Sequence, residues 1–403
     1  MAPSAPVLIA GGGIAGLTTA LCLAKHNIAS RVFERSSVFH EVGAGLQLSP
    51  NASRILIDLE LKAPLADVAV TPEAIRVRSG NSGRELVQMP IGTGFTSTYG
   101  APYWVVHRAD LQSILLNAVT KSPLIDLQSG CAVARASRID GGVRIEAQSE
   151  AGRMDETGSA LIGADGVWST LRTRTMKLPA AVYSGRTAWR ATVPIEAADA
   201  DDARLTGLWL GRNAHIVHYP VSSGKRLNIV VIIKDQWREE TWNAPGDRAL
   251  LEERLSDWCP QVKKMIAAAD TWLKWALCGN DPSLPWNRGP MTLIGDAAHA
   301  MLPFLAQGAA MAIEDAFVLA QCLAGDRDDP ARAIGYFADA RKARVQKVVA
   351  TARRNGHIYH LSGPMALARD TVMRALGGDR IMAGYDWLYG WQPVEKRPNR
   401  PNT

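Results

Sequence analysis

The chain has 403 residues, 47% of them hydrophobic and 21% charged, which is an ordinary composition for a folded enzyme and predicts two interleaved domains. Its net charge of +6 comes from 45 basic and 39 acidic residues spread along the sequence, so no nucleic-acid-binding patch is expected. No apolar stretch approaches the roughly 20 residues that span a bilayer, so no membrane association is expected either.

Five cysteines lie far apart and form neither a CxxC pair nor, with histidines, a cluster at metal-ligand spacing. This odd, scattered set predicts reduced thiols, no disulfide framework and no metal site. The N-terminus lacks the basic leader and cleavage signature of a secreted protein. Together these features favour a cytoplasmic protein.

The first 34 residues predict a βαβ unit that binds a dinucleotide. An apolar strand at Val7–Ala10 is followed by helical periodicity at Ile14–Lys25 and by a second strand at Ser30–Glu34. Glu34, at the end of the second strand, is placed to accept hydrogen bonds from an adenosine ribose.

The glycines of the first turn have separate expected roles. Gly11 permits the tight turn, Gly13 lets the backbone approach a pyrophosphate, and Gly16 lets the helix pack closely on the strand. The pyrophosphate would rest on the helix N-terminus, where free N–H groups and the helix dipole favour negative charge.

The rest of the chain predicts a further strand of the first domain, a second sheet and a helical tail. Residues 106–111 join a β-rich run to a helix, and a buried strand at 160–163 leads to Asp165 and Gly166, which are either a cofactor contact or only a strand-end turn. Alternating patterns between about 182 and 275, such as 215–219 and 227–233, predict an antiparallel sheet to which residues 76–102 add strands. A helix-rich tail follows from about Ala312, and residues 396–403 predict a frayed end.

Residues 295–303 form a second nucleotide-binding segment, nearly 300 residues after the first and preceded by a strand-like run at 291–294. One long cofactor held at both ends by distant parts of one domain accounts for both segments. With Gly163-Ala164-Asp165-Gly166 between them, the chain resembles the single-component FAD-dependent aromatic hydroxylases, the family that contains salicylate and 3-hydroxybenzoate hydroxylases.

The resemblance implies a mixed α/β fold with a Rossmann-like FAD-binding domain, a β-sheet substrate domain interleaved with it, and a helical C-terminus. The FAD-binding domain would comprise residues 1–75, 103–181 and 285–345. The substrate domain would comprise 76–102 and 182–284, and the C-terminal helices and tail would occupy 346–403.

The resemblance also assigns cofactor contacts. Arg108 would contact the ribityl-pyrophosphate region, Asp296 the ribityl hydroxyls (or it would cap a helix), Asp165 would serve both FAD and NAD(P)H, and Pro303 would lie near the isoalloxazine ring. Residues 307–309 would precede a helix whose N–H groups meet flavin N1 and O2, and His299 is expected to be structural. The full expected set is Gly11, Gly13, Ala15, Gly16, Glu34, Arg35, Gly45, Arg108, Asp165, Gly295, Asp296, Pro303, Gly308 and Ala309.

A finer resemblance, to the branch acting on 3-hydroxybenzoate and 6-hydroxynicotinate, implies the substrate residues. His215 and Tyr219 stand four apart, on one face of a strand, with His218 facing the other way. His215 would accept the proton of the substrate hydroxyl, with Tyr219, Tyr103 and Gln307 orienting the ring. Packing alone could also explain His215 and Tyr103. Gln47 stands where 6-hydroxynicotinate enzymes have histidine, which argues against that substrate.

The implied activity is a monooxygenase reaction. NADH or NADPH would reduce FAD, O2 would give a C4a-hydroperoxyflavin, and a small hydroxylated aromatic acid would be hydroxylated as by a 3-hydroxybenzoate 6-hydroxylase, without a metal or protein nucleophile. A homodimer is compatible with this interpretation. The alternatives are a salicylate 1-hydroxylase that releases catechol, a flavin oxidoreductase without oxygen insertion, and a non-catalytic protein that shares the FAD fold.

Overall fold

The structure, a computed structural model, describes residues 5–39, 45–239 and 241–392. The expectation for residues 396–403 lies outside these ranges. The described helices are α1 (Ile14–Lys25), α2 (Pro50–Asp58), α3 (Lys62–Ala66), α4 (Thr93–Tyr99), α5 (Arg108–Lys121), α6 (Arg248–Arg254), α7 (Pro260–Ala267), α8 (Asp296–His299), α9 (Gly308–Gly325), α10 (Pro330–Tyr359), α11 (Gly363–Ala383) and α12 (Asp386–Tyr389).

The described strands alternate with these helices in the first half of the chain and dominate its middle. They are β1 (Val7–Ala10), β2 (Ser30–Glu34), β3 (Gly45–Leu48), β4 (Ala74–Ser79), β5 (Glu85–Pro90), β6 (Trp104–His107), β7 (Ile125–Ser129), β8 (Cys131–Ile139), β9 (Gly142–Ser149), β10 (Gly152–Gly158), β11 (Ala160–Gly163), β12 (Val182–Pro194), β13 (Thr206–Gly211), β14 (Ala214–Val221), β15 (Arg226–Lys234), β16 (Asn243–Gly246), β17 (Trp272–Gly279), β18 (Asn287–Arg288) and β19 (Met291–Leu293).

The first sheet has the strand order β18-β19-β11-β1-β2-β7 and is parallel from β19 to β7. Strand β1 and strand β11 are buried along their whole length, as expected of central parallel strands covered on both faces. The predicted βαβ unit is confirmed to the residue. Because the carboxyl ends of β1, β11 and β19 meet at one edge, this sheet brings the three sequence signatures together.

The second sheet has eight strands in the order β16-β17-β12-β15-β14-β13-β4-β5. Its pairs are antiparallel except β13 with β4, and β14 pairs with β15 so that His215 lies opposite Ile232 and Tyr219 opposite Asn228. The predicted strands at 215–219 and 227–233 are confirmed, as is the contribution of the segment 76–102 to this sheet. The domain boundaries themselves stay a prediction.

Helix α9 differs in one respect from the sequence expectation. Gln307 is its N-cap and Gly308 and Ala309 lie in its first turn, so these residues begin the helix and do not precede it. The helix starts here because a left-handed residue, Ala306 (φ +53°), reverses the chain directly before the N-cap. Its first amide groups have no partner one turn earlier, as at any helix N-terminus.

Helix α9 is also the one described helix that is long and apolar enough to cross a membrane, with a mean hydropathy of 1.3 over 18 residues. It is a core helix, because Glu314 and Asp315 in its middle are fully buried in ion pairs with α10. Much of the remaining apolar surface of α9 packs against α1 and α10.

A buried ion network joins α9 to α10. The guanidinium of Arg341 donates to Asp315 (Nε to Oδ1, 2.8 Å) and to Glu314 (Nη1 to Oε2, 2.5 Å), and all three side chains are at most 1% exposed. Arg344 adds two hydrogen bonds of 2.7 Å to the Glu314 carboxylate. Burial raises the pKa of Asp315, but the nearby His299 and Arg341 outweigh it, so that the pKa falls below its usual value.

Removal of one cation from this network should be costly. We expect Arg341→Met to lower the free energy of unfolding by about 3–5 kcal/mol, because Glu314 and Asp315 then remain buried with too little positive charge. Lys264→Met, which breaks an exposed pair with Asp199, is the control and should change little. Urea unfolding followed by circular dichroism measures both variants. Similar values for the two would contradict a structural role for the network.

Candidate active site

The glycine-rich loop between β1 and α1 has little room for side chains except at one position. Gly11 has φ +111°, and a Cβ there would lie 2.3 Å from the carbonyl oxygen of Ala164. A Cβ at Gly16 would lie 1.9 Å from the carbonyl oxygen of Gly11, so the helix packs directly on the turn. The expected turn and packing roles of these two glycines are therefore confirmed. Gly13 faces open space, which leaves room for a phosphate at the N-terminus of α1.

The carboxylate of Glu34 lies beside this loop. It accepts hydrogen bonds from the N–H groups of Gly12 (2.7 Å) and Ser36 (2.9 Å). Its neighbour Arg35 is exposed at the end of β2. The acid is therefore at the place where the sequence pattern expects a ribose ligand, and its contact with the ribose stays a prediction.

The start of helix α5 approaches the same loop from another side. The side-chain amide of Gln112 is 3.4 Å from the carbonyl oxygen of Gly12. Arg108 begins α5 one turn earlier on the same helical face, which places it near the loop. The structure thus brings Arg108 to the region where the resemblance expects the pyrophosphate.

Asp165 holds the turn that follows β11. Its carboxylate accepts hydrogen bonds from the hydroxyl of Ser169 (2.5 Å) and the N–H of Leu171 (3.1 Å), at the start of a π-helical turn at Leu171–Thr175. Burial nevertheless raises its pKa above the usual range. The strand-end turn is therefore real, and a cofactor contact by Asp165 stays a prediction.

Arg172 joins this turn to the third signature. Its buried guanidinium donates to the carbonyl oxygens of Ala297 (3.2 Å) and Ala298 (3.1 Å) in α8. The sequence pattern gave no sign of this contact, because it links residues 125 positions apart. It fixes the second and third signatures in one position relative to each other.

The Asp296 segment and the start of α9 lie close to the start of α1. The N-cap of α8 is Gly295 (φ +55°), so the alternative that Asp296 caps the helix is wrong: its carboxylate lies in the first turn and is exposed. A Cβ at Gly308 would lie 4.0 Å from Oδ1 of Asp296, and one at Gly295 would lie 3.3 Å from Cβ of Ala15. The three segments expected to hold one cofactor therefore meet, as an elongated dinucleotide requires.

A cavity of about 490 Å³ lies next to this meeting point. Its walls come from β4, β5, β13 and β14 of the second sheet, the segment 303–306, the end of α10, and α11. Pro303 is in the wall, and its expected place near the flavin ring stays a prediction. The polar side chains that line it are Gln47, Tyr103, Thr206, His215, Asn355, Tyr359, Arg369, Tyr385 and Tyr389.

His215 lies in the cavity wall and is held by a second histidine. It is 1% exposed, and its Nδ1 is 2.8 Å from Nε2 of His360. The rings of Phe304 and Tyr359 lie 5.2 and 5.4 Å from the His215 ring. Burial, with His360 and Arg186 nearby, lowers the pKa of His215 well below its usual value. The imidazole is therefore neutral near pH 7 and able to accept a proton.

His218 is separate from this cavity. It is fully buried, lies against Gly207 and is 6.2 Å from the ring of Trp209. The alternation along β14 places it on the face opposite His215, as the sequence analysis predicts.

Tyr103 also lines the cavity, and its hydroxyl donates to Oε1 of Gln47 at 2.5 Å. Burial raises the pKa of Tyr103 far above its usual range, so the hydroxyl remains a hydrogen-bond donor. Sequence reasoning used Gln47 only to exclude one substrate. The partner was missed because Gln47 lies on β3 and Tyr103 directly precedes β6, and only the pairing of these two strands brings the side chains close.

Two expected substrate residues do not line the cavity. The amide of Gln307 is bonded to Oγ of Ser49 (2.8 Å) and Nδ2 of Asn51 (3.0 Å), so it is directed to the start of α2. Tyr219 is buried behind Gly45, where a Cβ would lie 2.8 Å from the tyrosine hydroxyl. Gln307 and Tyr219 therefore lie behind the described wall of this cavity, and their expected contact with the substrate stays a prediction.

Gly45 contacts the second sheet. Its N–H donates to Oδ1 of Asn228 at 2.8 Å, and the ring of Tyr219 fills the space where a side chain would be. This close approach explains the glycine without any ligand, and its expected contact with the cofactor stays a prediction.

Arg369 is the one lysine or arginine among the described residues that line the cavity. Its Nη1 donates to the carbonyl oxygens of Ile358 and Tyr359 (both 3.1 Å), and its Nε donates to Asp370 (2.9 Å). A cation at the C-terminus of α10 also complements the helix dipole. The hydrogen bonds of Arg369 therefore hold the end of α10 in place.

Comparison with known proteins agrees with this geometry. Residues 4–352 match the family described as "FAD binding domain". The chain belongs to this family. It is 32% identical over 389 residues to the 3-hydroxybenzoate 6-hydroxylase of Polaromonas naphthalenivorans (strain CJ2), covering 96% of each chain. It is 36% identical over 403 residues to a 3-amino-4-hydroxybenzoate 2-monooxygenase of Streptomyces platensis, covering 97% of this chain and 98% of that one.

A solved structure has the same fold. A variant of HpxO from Klebsiella pneumoniae, in complex with FAD, superposes with a TM-score of 0.84 at 26% identity and covers 96% of this chain and 98% of that chain. The predicted fold class, the FAD cofactor and the monooxygenase activity are thus confirmed.

Two glycine variants separate the folding and binding roles of the loop. We expect Gly13→Ala to fold normally but to weaken FAD binding by about 10–100-fold, because the methyl group enters the space left for a phosphate. Gly16→Ala should instead lower the thermal midpoint. Gly335→Ala, on α10 with open space around it, is the control for both. Flavin titration of the apoprotein and calorimetry measure the two effects; unchanged affinity in Gly13→Ala would place the phosphates elsewhere.

Proposed function

We propose that this monooxygenase hydroxylates a small phenol that carries a ring carboxylate, in the manner of a 3-hydroxybenzoate 6-hydroxylase. The observation that carries the proposal is His215, which lines the cavity containing Pro303 and has no partner for Nε2 among the described residues. The relatives named above act, by their names, on 3-hydroxybenzoate and 3-amino-4-hydroxybenzoate, which both carry a hydroxyl and a carboxylate.

The residues fit FAD. Open space at Gly13 suits the phosphates, the exposed carboxylate of Asp296 suits the ribityl hydroxyls, and the first turn of α9 at Gly308 and Ala309 offers N–H groups and a positive dipole end to an electron-rich ring. When bound and reduced by NADH or NADPH, FAD would activate O2, and one oxygen atom of that O2 would enter the substrate while the other leaves as water. The apolar wall of the cavity excludes water from that oxygen.

His215 would act as the general base. A phenol reacts with an electrophilic oxygen much faster as phenolate, so the ring hydroxyl has to lose its proton in the cavity. The neutral imidazole offers Nε2 to that proton. Arg186, close enough to lower the pKa of His215, would stabilise the phenolate by the same positive charge.

The carboxylate of the substrate would be bound by neutral donors. Arg369, the cation in the described wall, is already bonded to Asp370 and to the end of α10. Tyr103 keeps its proton, and Gln47 beside it can reorient to share that hydroxyl with a ligand. We therefore assign the orientation of the substrate to Tyr103 and Gln47, with Tyr219 and Gln307 as supports behind them.

The other interpretations predict different products. A salicylate 1-hydroxylase would use the same cavity with the carboxylate-bearing carbon toward the oxygen, and would release carbon dioxide. A flavin oxidoreductase would consume NAD(P)H without a hydroxylated product. A non-catalytic protein of this fold would lack the flavin segment at Asp296, which this chain has, and would be purified without yellow colour.

The proposal includes a cytoplasmic location and a homodimer. All five cysteines are free, which suits a reducing cytoplasm. Helix α11 exposes Met365, Leu367 and Val372 to between 55% and 70%, a surface that favours burial against a second copy of the chain.

Removal of the base should uncouple the enzyme. We expect His215→Ala to keep FAD and to slow hydroxylation by roughly 10²–10⁴-fold, the usual contribution of a positioned general base. NADH consumption should continue, with hydrogen peroxide as the main oxygen product. His26→Ala, a partly exposed histidine at the C-cap of α1, is the matched control. Full coupled turnover in His215→Ala would reduce His215 to a packing residue.

Product analysis identifies the substrate. A phenolate is electron-rich at the carbons ortho and para to its oxygen, so oxygen should add at one of them. With 3-hydroxybenzoate we expect 2,5-dihydroxybenzoate and retention of the carboxylate. With salicylate, attack at the carbon bearing the carboxylate would give catechol. Chromatography of both reactions decides the question: catechol from salicylate with no turnover of 3-hydroxybenzoate would overturn the choice of substrate and leave the hydroxylase intact.

A further inference from the structure

The buried base has a second histidine behind it. His215 is 1% exposed, whereas His360, at the end of α10, is half-buried and reaches the protein surface. Their contact, Nδ1 of His215 to Nε2 of His360 at 2.8 Å, is the length of a good hydrogen bond. The two rings therefore form a continuous path from the cavity wall toward solvent.

The base needs such a path because it cannot keep the proton. An imidazolium at His215 would be fully buried, and the charge of Arg186 would oppose it. A proton taken from the substrate hydroxyl therefore has to leave His215 before the oxygen is transferred. Solvent cannot reach the buried ring directly, and Phe304 and Tyr359 pack against it.

We propose that His215 and His360 form a proton relay that carries the proton of the substrate hydroxyl to solvent, which makes His360 a positioning and relay residue for the hydroxylation. The relay rests on the proposed function, in which His215 is the base. The substrate O–H bond breaks as Nε2 of His215 gains the proton, and Nδ1–H of His215 passes its own proton to Nε2 of His360. Nδ1–H of His360 then releases a proton to water, so both rings end neutral and one proton has left.

The surroundings of His360 keep it neutral between transfers. Burial lowers the pKa of His360 to about 4, and Arg186 on β12, His357 on α10 and Arg369 on α11 act in the same direction. The carboxylate of Asp370 is bonded to Arg369. A neutral ring can accept one proton and release another, which a permanently charged ring could not.

The end of α10 is held so that this contact persists. Arg369 bonds the carbonyl oxygens of Ile358 and Tyr359, the two residues before His360. On the other side of the pair, the Phe304 ring lies 5.7 Å from the His360 ring. Arg369 therefore lines the cavity and also orients the relay.

The test measures proton loss separately from turnover. Binding of 3-hydroxybenzoate or salicylate, whichever is turned over, is followed by stopped-flow absorbance of the phenolate. We expect His360→Gln to keep FAD and substrate affinity but to form phenolate about 10²-fold more slowly, with partial rescue by added imidazole. His26→Gln, a partly exposed histidine at the C-cap of α1, is the control. His215→Gln should abolish the phenolate signal.

Each outcome has one meaning. If His360→Gln forms phenolate at the wild-type rate while His215→Gln does not, the relay is overturned and the proposed base remains. Wild-type rates in both variants overturn the proposed function itself. If His360→Gln loses its flavin, the rate of phenolate formation is measured for the wild-type enzyme in mixtures of H2O and D2O. A relay that moves more than one proton gives a curved dependence of this rate on the deuterium content. A straight line contradicts the relay.

Discussion

The site depends on the two carboxylates of α9 that are buried against Arg341. Each ion would cost several kcal/mol to bury alone, so Glu314 and Asp315 are stable only with both arginines of α10 in place. Asp315 also accepts hydrogen bonds from the N–H of Gly295 (3.0 Å) and from His299 (2.6 Å). One carboxylate thus fixes α9, α10 and the segment that begins at Gly295.

The other carboxylate extends the same network to the start of α2. Glu314 accepts from Nδ2 of Asn51 (2.7 Å), and that amide also reaches Gln307 (3.0 Å), the N-cap of α9. Because Gln307 is held from behind, the following first-turn N–H groups keep a fixed direction. The chain reversal before Gln307 likewise fixes the wall from Pro303 to Ala306. A hydrogen-bonded core therefore fixes both the start of α9 and the cavity wall from Pro303 to Ala306, although none of its members lines the described cavity.

The sequence predicts the local parts of this arrangement and misses the distant ones. The βαβ unit, the glycine roles and the faces of β14 follow from spacings of a few residues, which backbone geometry converts directly into position. His360 carries no such signal, because 145 residues separate it from His215 and only the packing of α10 on the sheet brings them together. The partners of Gln307 carry no such signal either, because Ser49 and Asn51 are brought to it by tertiary structure.

Under the proposed function, the charges around the cavity would orient the substrate. His215 belongs to one aromatic group with Phe304, Tyr359 and His360, close to the positive charge of Arg186. Tyr103 belongs to another group with Tyr389, which offers neutral donors. A carboxylate bound beside the histidines would place its charge where the phenolate has to form and would hold the ring the wrong way round. Neutral tyrosines bind a carboxylate less strongly than an arginine does. In the proposed complex, burial of the ring would therefore supply most of the affinity, and the position of the ionising hydroxyl would supply the selectivity.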